Sequence, residues 1–391
     1  MDARSRLARD IPFKIAAPYL VILFLLPLSL QQLQITARWI AHEANPPAGM
    51  TRTQIHNEAS GDFRTFWVVG RNVLHGQAGR DYAPLARAVD QRETVLRTTG
   101  FYYPPPTLLI MPLAGLNGLV VSFAAWTLGL LLAGFALLRW AGVGWAPIML
   151  TLASPASLWS LNMGQFGFVT GAALFSALLM MDRQPTRAGA VIGALTLKPQ
   201  AALISPFLLL ADRRYRAFAA AAAMTITLAC LTTLVFGWRI WVDFLTVGTA
   251  SSRHVLLAPF PGRGEIRGAS IFWMLRSFRL SILASAIGQG VGAAGAIIWG
   301  LRLWRNAQLD ILSRAASVTC LTLFLTPYAY TDDMCGYSLA IISLAWRRRR
   351  LAMVDAMLIM WPALCPYVSI FAHTEISPIF ITWAVLRARQ A

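Results

Sequence analysis

The sequence predicts an all-α protein that crosses a membrane many times. Of the 391 residues, 57% are hydrophobic and only 13% are charged, whereas soluble domains are about 45–50% apolar and about 25% charged. Apolar runs of about 20 residues, long enough to cross the hydrocarbon core as a helix, recur along the chain. We therefore expect one integral membrane domain over residues 1–391, a bundle of about 10–12 transmembrane or re-entrant helices.

The formal net charge of +17 reflects membrane topology. Basic residues lie mostly between the apolar segments, as they do in the cytoplasmic loops of membrane proteins, so we do not expect nucleic acid as a partner. Residues 1–14 contain three arginines and one lysine ahead of the first apolar run, which predicts a cytoplasmic N-terminus in the cytoplasmic (inner) membrane. A cleaved signal peptide is the alternative, but the long run and the lack of a convincing cleavage site favour an uncleaved helix.

The predicted segments alternate between the two sides of the membrane. A long first outer loop, residues 38–103, contains amphipathic helices, and a second outer loop covers residues 238–270. Arginine-rich connections belong on the cytoplasmic side by the positive-inside rule. The predicted membrane segments are residues 15–33, 119–138, 146–160, 168–181, 188–210, 217–236, 280–303, 315–325, 334–346 and two further spans after residue 350.

The segment 188–210 differs from the others because arginines flank both of its ends. Two cytoplasmic ends predict a re-entrant pair of half-helices rather than a crossing. The turn is expected near Lys198 and Pro199, because proline interrupts a helix. The alternative, a single crossing, would place one arginine cluster outside.

Carboxylate and histidine side chains lie in the predicted outer loops, which predicts a solvent-accessible extracytoplasmic site. A proton or ion pathway would instead need carboxylates in the middle of membrane segments. A transporter or a flippase for lipid-linked sugars is the competing class, and it predicts paired interrupted helices; only one interrupted segment is evident. The outer polar residues are Asp62, Asp81, Asp332, Asp333, His254, His373 and Glu375.

An ordered series of motifs resembles one known family. The first outer loop and the apolar segment that follows it contain DFRTFW, VVGRNVLHGQAGRDYAP and FYYPPPTLLIMPLAGL, between residue 62 and residue 116. The later motifs are NMGQFGFVTGAALFSAL, AGAVIGALTLKPQAALISPFLLLADRRYRAF and TPYAYTDDMCGYSLA, which begin at residues 162, 188 and 326. In this order they resemble glycosyltransferase family 87, within the polytopic GT-C class.

The resemblance implies an inverting glycosyltransferase of the extracytoplasmic face. Such an enzyme moves a hexose or pentose, here mannose-like, from a polyprenyl-phosphate donor to a glycolipid or glycan acceptor. Asp62 matches the acidic residue of the family and becomes the candidate general base on the acceptor hydroxyl. The alternative role for Asp62 is to cap the amphipathic helix that follows it, and both roles can hold.

The donor phosphate needs cationic or N–H-rich partners. Lys198 lies in apolar sequence and must have a partner, either this phosphate or the carbonyls freed by Pro199. For each outer arginine, headgroup contact or solvation is the alternative. The candidates for phosphate binding are Lys198, Arg253, His254 and Arg64, with Arg71, Arg263 and Arg267 as further outer cations.

Substrate contacts are predicted at Tyr103, Gln165, Tyr330, Asp332 and Asp333. Tyr103, together with Tyr102 and Trp67, is a candidate for stacking on sugars, although interfacial aromatic residues also anchor proteins in the membrane. The adjacent carboxylates bind sugar hydroxyls or mark a hydrated turn; in the family a tyrosine occupies the place of Asp332. No DxD motif is present, so we expect neither a metal ion nor another cofactor.

Overall fold

The computed structural model describes residues 13–50, 61–82, 101–262 and 264–390. Regular structure in this part is helical, apart from one isolated antiparallel bridge between Gly268 and Tyr330. Residues 1–12, whose three arginines predict a cytoplasmic N-terminus, lie outside the described residues, as does Arg263. The Asp81 side chain is likewise not described.

Among the described residues, five helices are long and apolar enough to cross a membrane: Ala16–Ala44, Leu119–Trp140, Tyr215–Phe236, Ile282–Trp304 and Met353–Phe371. Two shorter apolar helices accompany them, Gly167–Met180 and Ile311–Leu325. These helices confirm the predicted class, an all-α membrane protein. In chain order the α-helices are α1 (Phe13–Ala44), α2 (Phe63–Leu74), α3 (Met111–Gly115), α4 (Leu119–Trp140), α5 (Trp145–Leu152), α6 (Pro155–Met163), α7 (Gly167–Met180), α8 (Pro185–Ala194), α9 (Ser205–Ala211), α10 (Tyr215–Phe236), α11 (Arg239–Asp243), α12 (Thr249–Leu256), α13 (Ile271–Ser277), α14 (Ile282–Trp304), α15 (Ile311–Leu321), α16 (Cys335–Arg347), α17 (Met353–Phe371) and α18 (Ser377–Arg389).

Two predicted boundaries differ from the structure. Helix α1 continues to Ala44, past residue 38, where the outer loop was predicted to start. Residues 34–44 contain no glycine or proline that would end the helix. Trp39 also packs edge-on against Phe123, with 5.2 Å between the ring centroids. The predicted span 146–160 is two short helices. The break falls at Ser154, which has extended backbone before Pro155, as expected of a residue that precedes proline.

The segment from α8 to α9 is interrupted at Lys198. Two short 3₁₀ turns flank this residue, whose backbone is not helical (φ −140°, ψ 75°), because Pro199 has no N–H and restricts the residue before it. Asp182 and Arg214, which flank the whole segment, form an ion pair of 2.6 Å. The two ends of the segment therefore lie together, which is the geometry of a hairpin; the membrane side of those ends stays a prediction.

Helices α7 and α16 are largely buried, and glycines bring their backbones into contact. A Cβ atom on Gly167 would lie 1.8 Å from the carbonyl oxygen of Asp332, and one on Gly171 would lie 2.5 Å from the Gly336 nitrogen. Neither position has room for a side chain. Helix α7 is thereby held directly against the turn that contains Asp332 and Asp333.

Helix α2 is fixed by an aromatic cluster. Phe63 and Phe66 are buried and contact the rings of Phe123, Trp126 and Phe166 at centroid distances of 5.3–6.4 Å. Ring pairs of this kind stabilise a contact by about 0.5–1.5 kcal/mol beyond simple burial. The start of α2, where Asp62 lies, is therefore rigidly placed.

The predicted second outer loop, residues 238–270, is largely helical. It contains α11, a π-helical turn at Phe244–Gly248, α12 and a 3₁₀ turn at Glu265–Arg267. The Tyr328 hydroxyl donates a hydrogen bond of 3.1 Å to the Ser252 carbonyl. Helix α12 is thus tied to the turn at residues 326–333, called the late turn below, and forms one wall of the cavity described next.

Candidate functional site

A cavity of about 540 Å³ opens where the first outer loop, the break at Lys198, helix α12 and the late turn meet. Sequence reasoning had distributed its candidate residues over these four regions, and the structure brings most of them together. The predicted site residues that line the cavity are Asp62, Tyr103, Gln165, Lys198, His254, Tyr330, Asp332 and Asp333.

Asp62 precedes α2, but its side chain makes no capping hydrogen bond. Its backbone is already helical (φ −86°, ψ −26°), whereas a capping residue usually has extended backbone. Carboxylate oxygen Oδ2 instead accepts a hydrogen bond of 2.5 Å from Gln165 Nε2. The capping alternative is therefore wrong, and the carboxylate belongs to the cavity.

The Gln165 amide joins two parts of the cavity. Its oxygen, Oε1, accepts a hydrogen bond of 2.8 Å from the Tyr103 hydroxyl and lies 3.5 Å from Lys198 Nζ. A continuous hydrogen-bonded chain thus runs from Asp62 through Gln165 to Lys198. Gln165 and Tyr103, predicted as substrate contacts, are both engaged in this chain.

Lys198 has an acidic partner. Its Nζ atom lies 2.5 Å from Asp333 Oδ1, and the two side chains are only 4% and 13% exposed. The other carboxylate oxygen of Asp333 accepts a hydrogen bond of 3.2 Å from the Tyr330 backbone N–H. Breaking such a buried pair costs about 3–5 kcal/mol, so this pair holds the helix break against the late turn.

Asp332 is buried, which rules out the hydrated turn considered above. Burial, and after it the charge of Asp333, raise the pKa of Asp332 to about 6. Arg267 Nη1 lies 3.8 Å from Asp332 Oδ1 and opposes this shift. Two carboxylates and two cations are therefore concentrated on one wall of the cavity.

Sequence reasoning missed Glu265 and gave Arg267 no preference over other outer arginines, yet both line the cavity. Arg267 Nη1 is buried and makes no hydrogen bond with the described residues; its guanidinium lies 5.8 Å from the Trp159 ring centroid. Glu265 Oε2 accepts a hydrogen bond of 3.1 Å from the Gly264 N–H. The dense polar run GRGEIR in the second outer loop was the available signal.

Arg64 and Arg253, predicted to bind phosphate, do not line the cavity. Successive helical residues point about 100° apart, so Arg64 diverges from Asp62, and Arg253 diverges from its neighbour His254. The structure therefore does not bring these two arginines together with the other predicted phosphate ligands, and their phosphate-binding role stays a prediction.

Trp67 does not stack on a sugar, because it is buried and donates a hydrogen bond of 2.8 Å to the Asn117 carbonyl. Arg71 lies over this indole ring, 4.9 Å from its centroid. Glu375, predicted on the solvent-accessible face, is fully buried and does not line the cavity. Local sequence shows neither the packing over Trp67 nor the helices that enclose Glu375.

In the part of the chain that the structure describes, no group of three or more His, Cys, Asp or Glu side chains is arranged to hold a metal ion. Among the described residues, the polar side chains that line the cavity are carboxylates, a lysine, an arginine, a histidine, tyrosines, glutamines and small hydroxyl side chains. Such a set can accept a proton, neutralise an anion and bind hydroxyl groups.

The sequence matches the profile of a known protein family. The sequence profile of glycosyltransferase family 87 matches residues 101–327, which is more than half of the 391-residue chain. The matched region includes Tyr103, Gln165, Lys198 and Arg267, whereas Asp62 precedes it. No curated protein and no solved structure matches the chain.

Proposed function

This chain belongs to glycosyltransferase family 87, and we propose that it transfers a hexose or pentose, mannose-like, from a polyprenyl-phosphate donor to a glycolipid or glycan acceptor. The reaction takes place at the extracytoplasmic face of the cytoplasmic membrane. One observation carries the proposal: Asp62, a base for the acceptor, shares a single cavity with Lys198 and Arg267, cations for the donor phosphate.

Asp62 is the general base of the proposed reaction. As the acceptor hydroxyl oxygen forms a bond to the anomeric carbon, its proton passes to Asp62. The bond from that carbon to the phosphate oxygen breaks on the opposite face, and its electron pair leaves with the lipid phosphate, so the configuration inverts. General-base help of this kind is worth about 10²–10⁴ in rate.

Lys198 and Arg267 neutralise the charge that develops on the leaving phosphate. A lysine ammonium has three N–H donors; Asp333 takes one at 2.5 Å, which leaves capacity for a phosphate oxygen. The guanidinium group of Arg267, which lines the cavity, offers the planar fork that suits phosphate. His254, which also lines the cavity, adds a further donor.

The proposed chemistry needs no metal ion or other cofactor. The two cations supply the positive charge that a divalent ion supplies in other phosphate-transfer sites. The lipid-linked sugar is a substrate, and the bilayer holds its prenyl chain.

The test is sugar transfer by purified protein in lipid nanodiscs. Radiolabelled polyprenyl-phosphate sugars serve as donors and extracted membrane glycolipids and glycans as acceptors. We expect wild type and Asp243→Asn, an outer carboxylate that does not line the cavity, to transfer sugar, and Asp62→Asn to lose about 10²–10⁴ in rate. Equal rates for wild type and Asp62→Asn would place the base elsewhere. Movement of intact donor across the bilayer without transfer would favour a flippase.

A further inference from the structure

Gln165 is held in one position by both its backbone and its side chain. It lies between α6 and α7, directly after Gly164, whose left-handed backbone (φ 63°) ends α6. The Gln165 N–H donates to the Ser160 carbonyl at 2.9 Å, and the Gln165 carbonyl accepts from the Ser160 hydroxyl at 3.0 Å. The side chain is buried, and its amide contacts Asp62, Tyr103 and Lys198, so the amide cannot turn away without breaking these side-chain contacts.

The chemistry of the neighbours determines which way the amide faces. A lysine ammonium only donates hydrogen bonds, and Lys198 Nζ lies 3.5 Å from Gln165 Oε1. The Tyr103 hydroxyl donates to the same oxygen. The amide nitrogen must therefore face Asp62, where only a donor can satisfy an ionised carboxylate.

We propose that Gln165 is a positioning residue for Asp62, rather than a substrate contact. Its Nε2 holds Oδ2 of Asp62 at 2.5 Å and leaves Oδ1 for the acceptor hydroxyl; within the described residues Oδ1 accepts no hydrogen bond. Tyr103 and Lys198 in turn hold Gln165. This inference rests on the proposed function, because it assigns Asp62 as the base.

Removing the amide separates positioning from binding. Gln165→Leu leaves Asp62 without its donor, and a misplacement of about 1 Å in a reacting group can reduce the rate about 100-fold. We expect kcat to fall about 10- to 100-fold, while KM for donor and acceptor changes less than about threefold, since positioning acts on the transition state. Unchanged kcat, or a loss confined to KM, would overturn the proposal.

Gln165→Glu gives a readout that a purely structural role would not produce. An ionised glutamate repels Asp62 across 2.5 Å, whereas a protonated one donates to Oδ2 as the amide does. The rate of this variant relative to wild type should rise as the pH falls. A ratio that is independent of pH contradicts the inference. Gln308→Glu, on the exposed connection between α14 and α15, controls for the added charge.

Tyr103→Phe removes a single hydroxyl and guards against misfolding of the Gln165 variants. We expect Tyr103→Phe to lower kcat less than Gln165→Leu does. In this variant Gln165 Oε1 keeps its contact with Lys198 Nζ at 3.5 Å but loses the closer donor, the Tyr103 hydroxyl at 2.8 Å. Since the two residues act through one contact, Tyr103→Phe with Gln165→Leu should be no slower than Gln165→Leu alone; additive losses would count against the proposal. Transfer by wild type tests the proposed function separately, so a failure of the positioning role would leave the proposed function standing.

Discussion

Glu375 makes the stability of this protein depend on pH. It lies in the connection between α17 and α18 and is fully buried, and no cation among the described residues forms an ion pair with it. Its Oε1 accepts a hydrogen bond of 2.5 Å from the Ser377 N–H, and its Oε2 accepts from the Cys365 thiol at 3.2 Å and the Ser369 hydroxyl at 3.3 Å. These bonds only partly compensate for burial, which raises the pKa of Glu375 from 4.5 to about 7.

The size of the effect follows from this shift. A rise from 4.5 to about 7, at 1.36 kcal/mol per pKa unit, corresponds to about 3 kcal/mol of unfolding free energy. The folded protein binds the Glu375 proton more tightly than the unfolded chain does. The stabilisation is therefore fully present below about pH 4.5 and is lost as the pH rises through about 7.

The substitution Glu375→Gln removes the titration while retaining an acceptor for the Ser377 N–H. In lipid nanodiscs, followed by tryptophan fluorescence, the melting temperature of wild type should fall by several degrees between pH 5 and pH 8. The variant should lack this part of the fall and melt higher than wild type at pH 8. Parallel pH dependences for the two proteins would refute the reasoning. Asp243→Asn, measured in the same way, should follow wild type.

Three further outcomes are expected. Lys198→Met should abolish transfer and lower the unfolding free energy by about 3–5 kcal/mol, because it leaves Asp333 buried without its partner. The double variant Lys198→Met with Asp333→Leu should recover stability but not transfer. If the single variant is as stable as the double variant, the stabilising role of the buried ion pair is contradicted. Gly167→Ala places a Cβ atom 1.8 Å from the Asp332 carbonyl oxygen and should lower both the transfer rate and the unfolding free energy, the latter by about 1–3 kcal/mol. The control Gly129→Ala, whose added Cβ atom would have no neighbour within 4 Å, should match wild type in both assays. Prolonged treatment with EDTA should leave the transfer rate unchanged, and a loss restored by Mg²⁺ or Mn²⁺ would contradict a metal-free reaction.

The membrane class and the main helix break could be predicted from the sequence because both depend on local physics. An apolar run of about 20 residues must form a helix in hydrocarbon, whatever surrounds it. The break at Lys198 follows from Pro199, which acts on its own backbone and on the residue before it. The order of the motifs, likewise a property of the chain alone, indicated the family that the sequence profile then matched over residues 101–327.

Only the tertiary structure decided which polar side chains meet. Asp62 and Gln165 are 103 positions apart, and Lys198 and Asp333 are 135 positions apart, so no local pattern connects them.

The rotation of each helix also decided which of several similar residues serve the site. Arg267 faces the cavity while Arg253 does not, although both lie in the predicted second outer loop. Helix packing buries Glu375, which local polarity had placed in solvent. Local sequence determines where a helix forms, whereas the contacts among all helices determine the direction in which its side chains point.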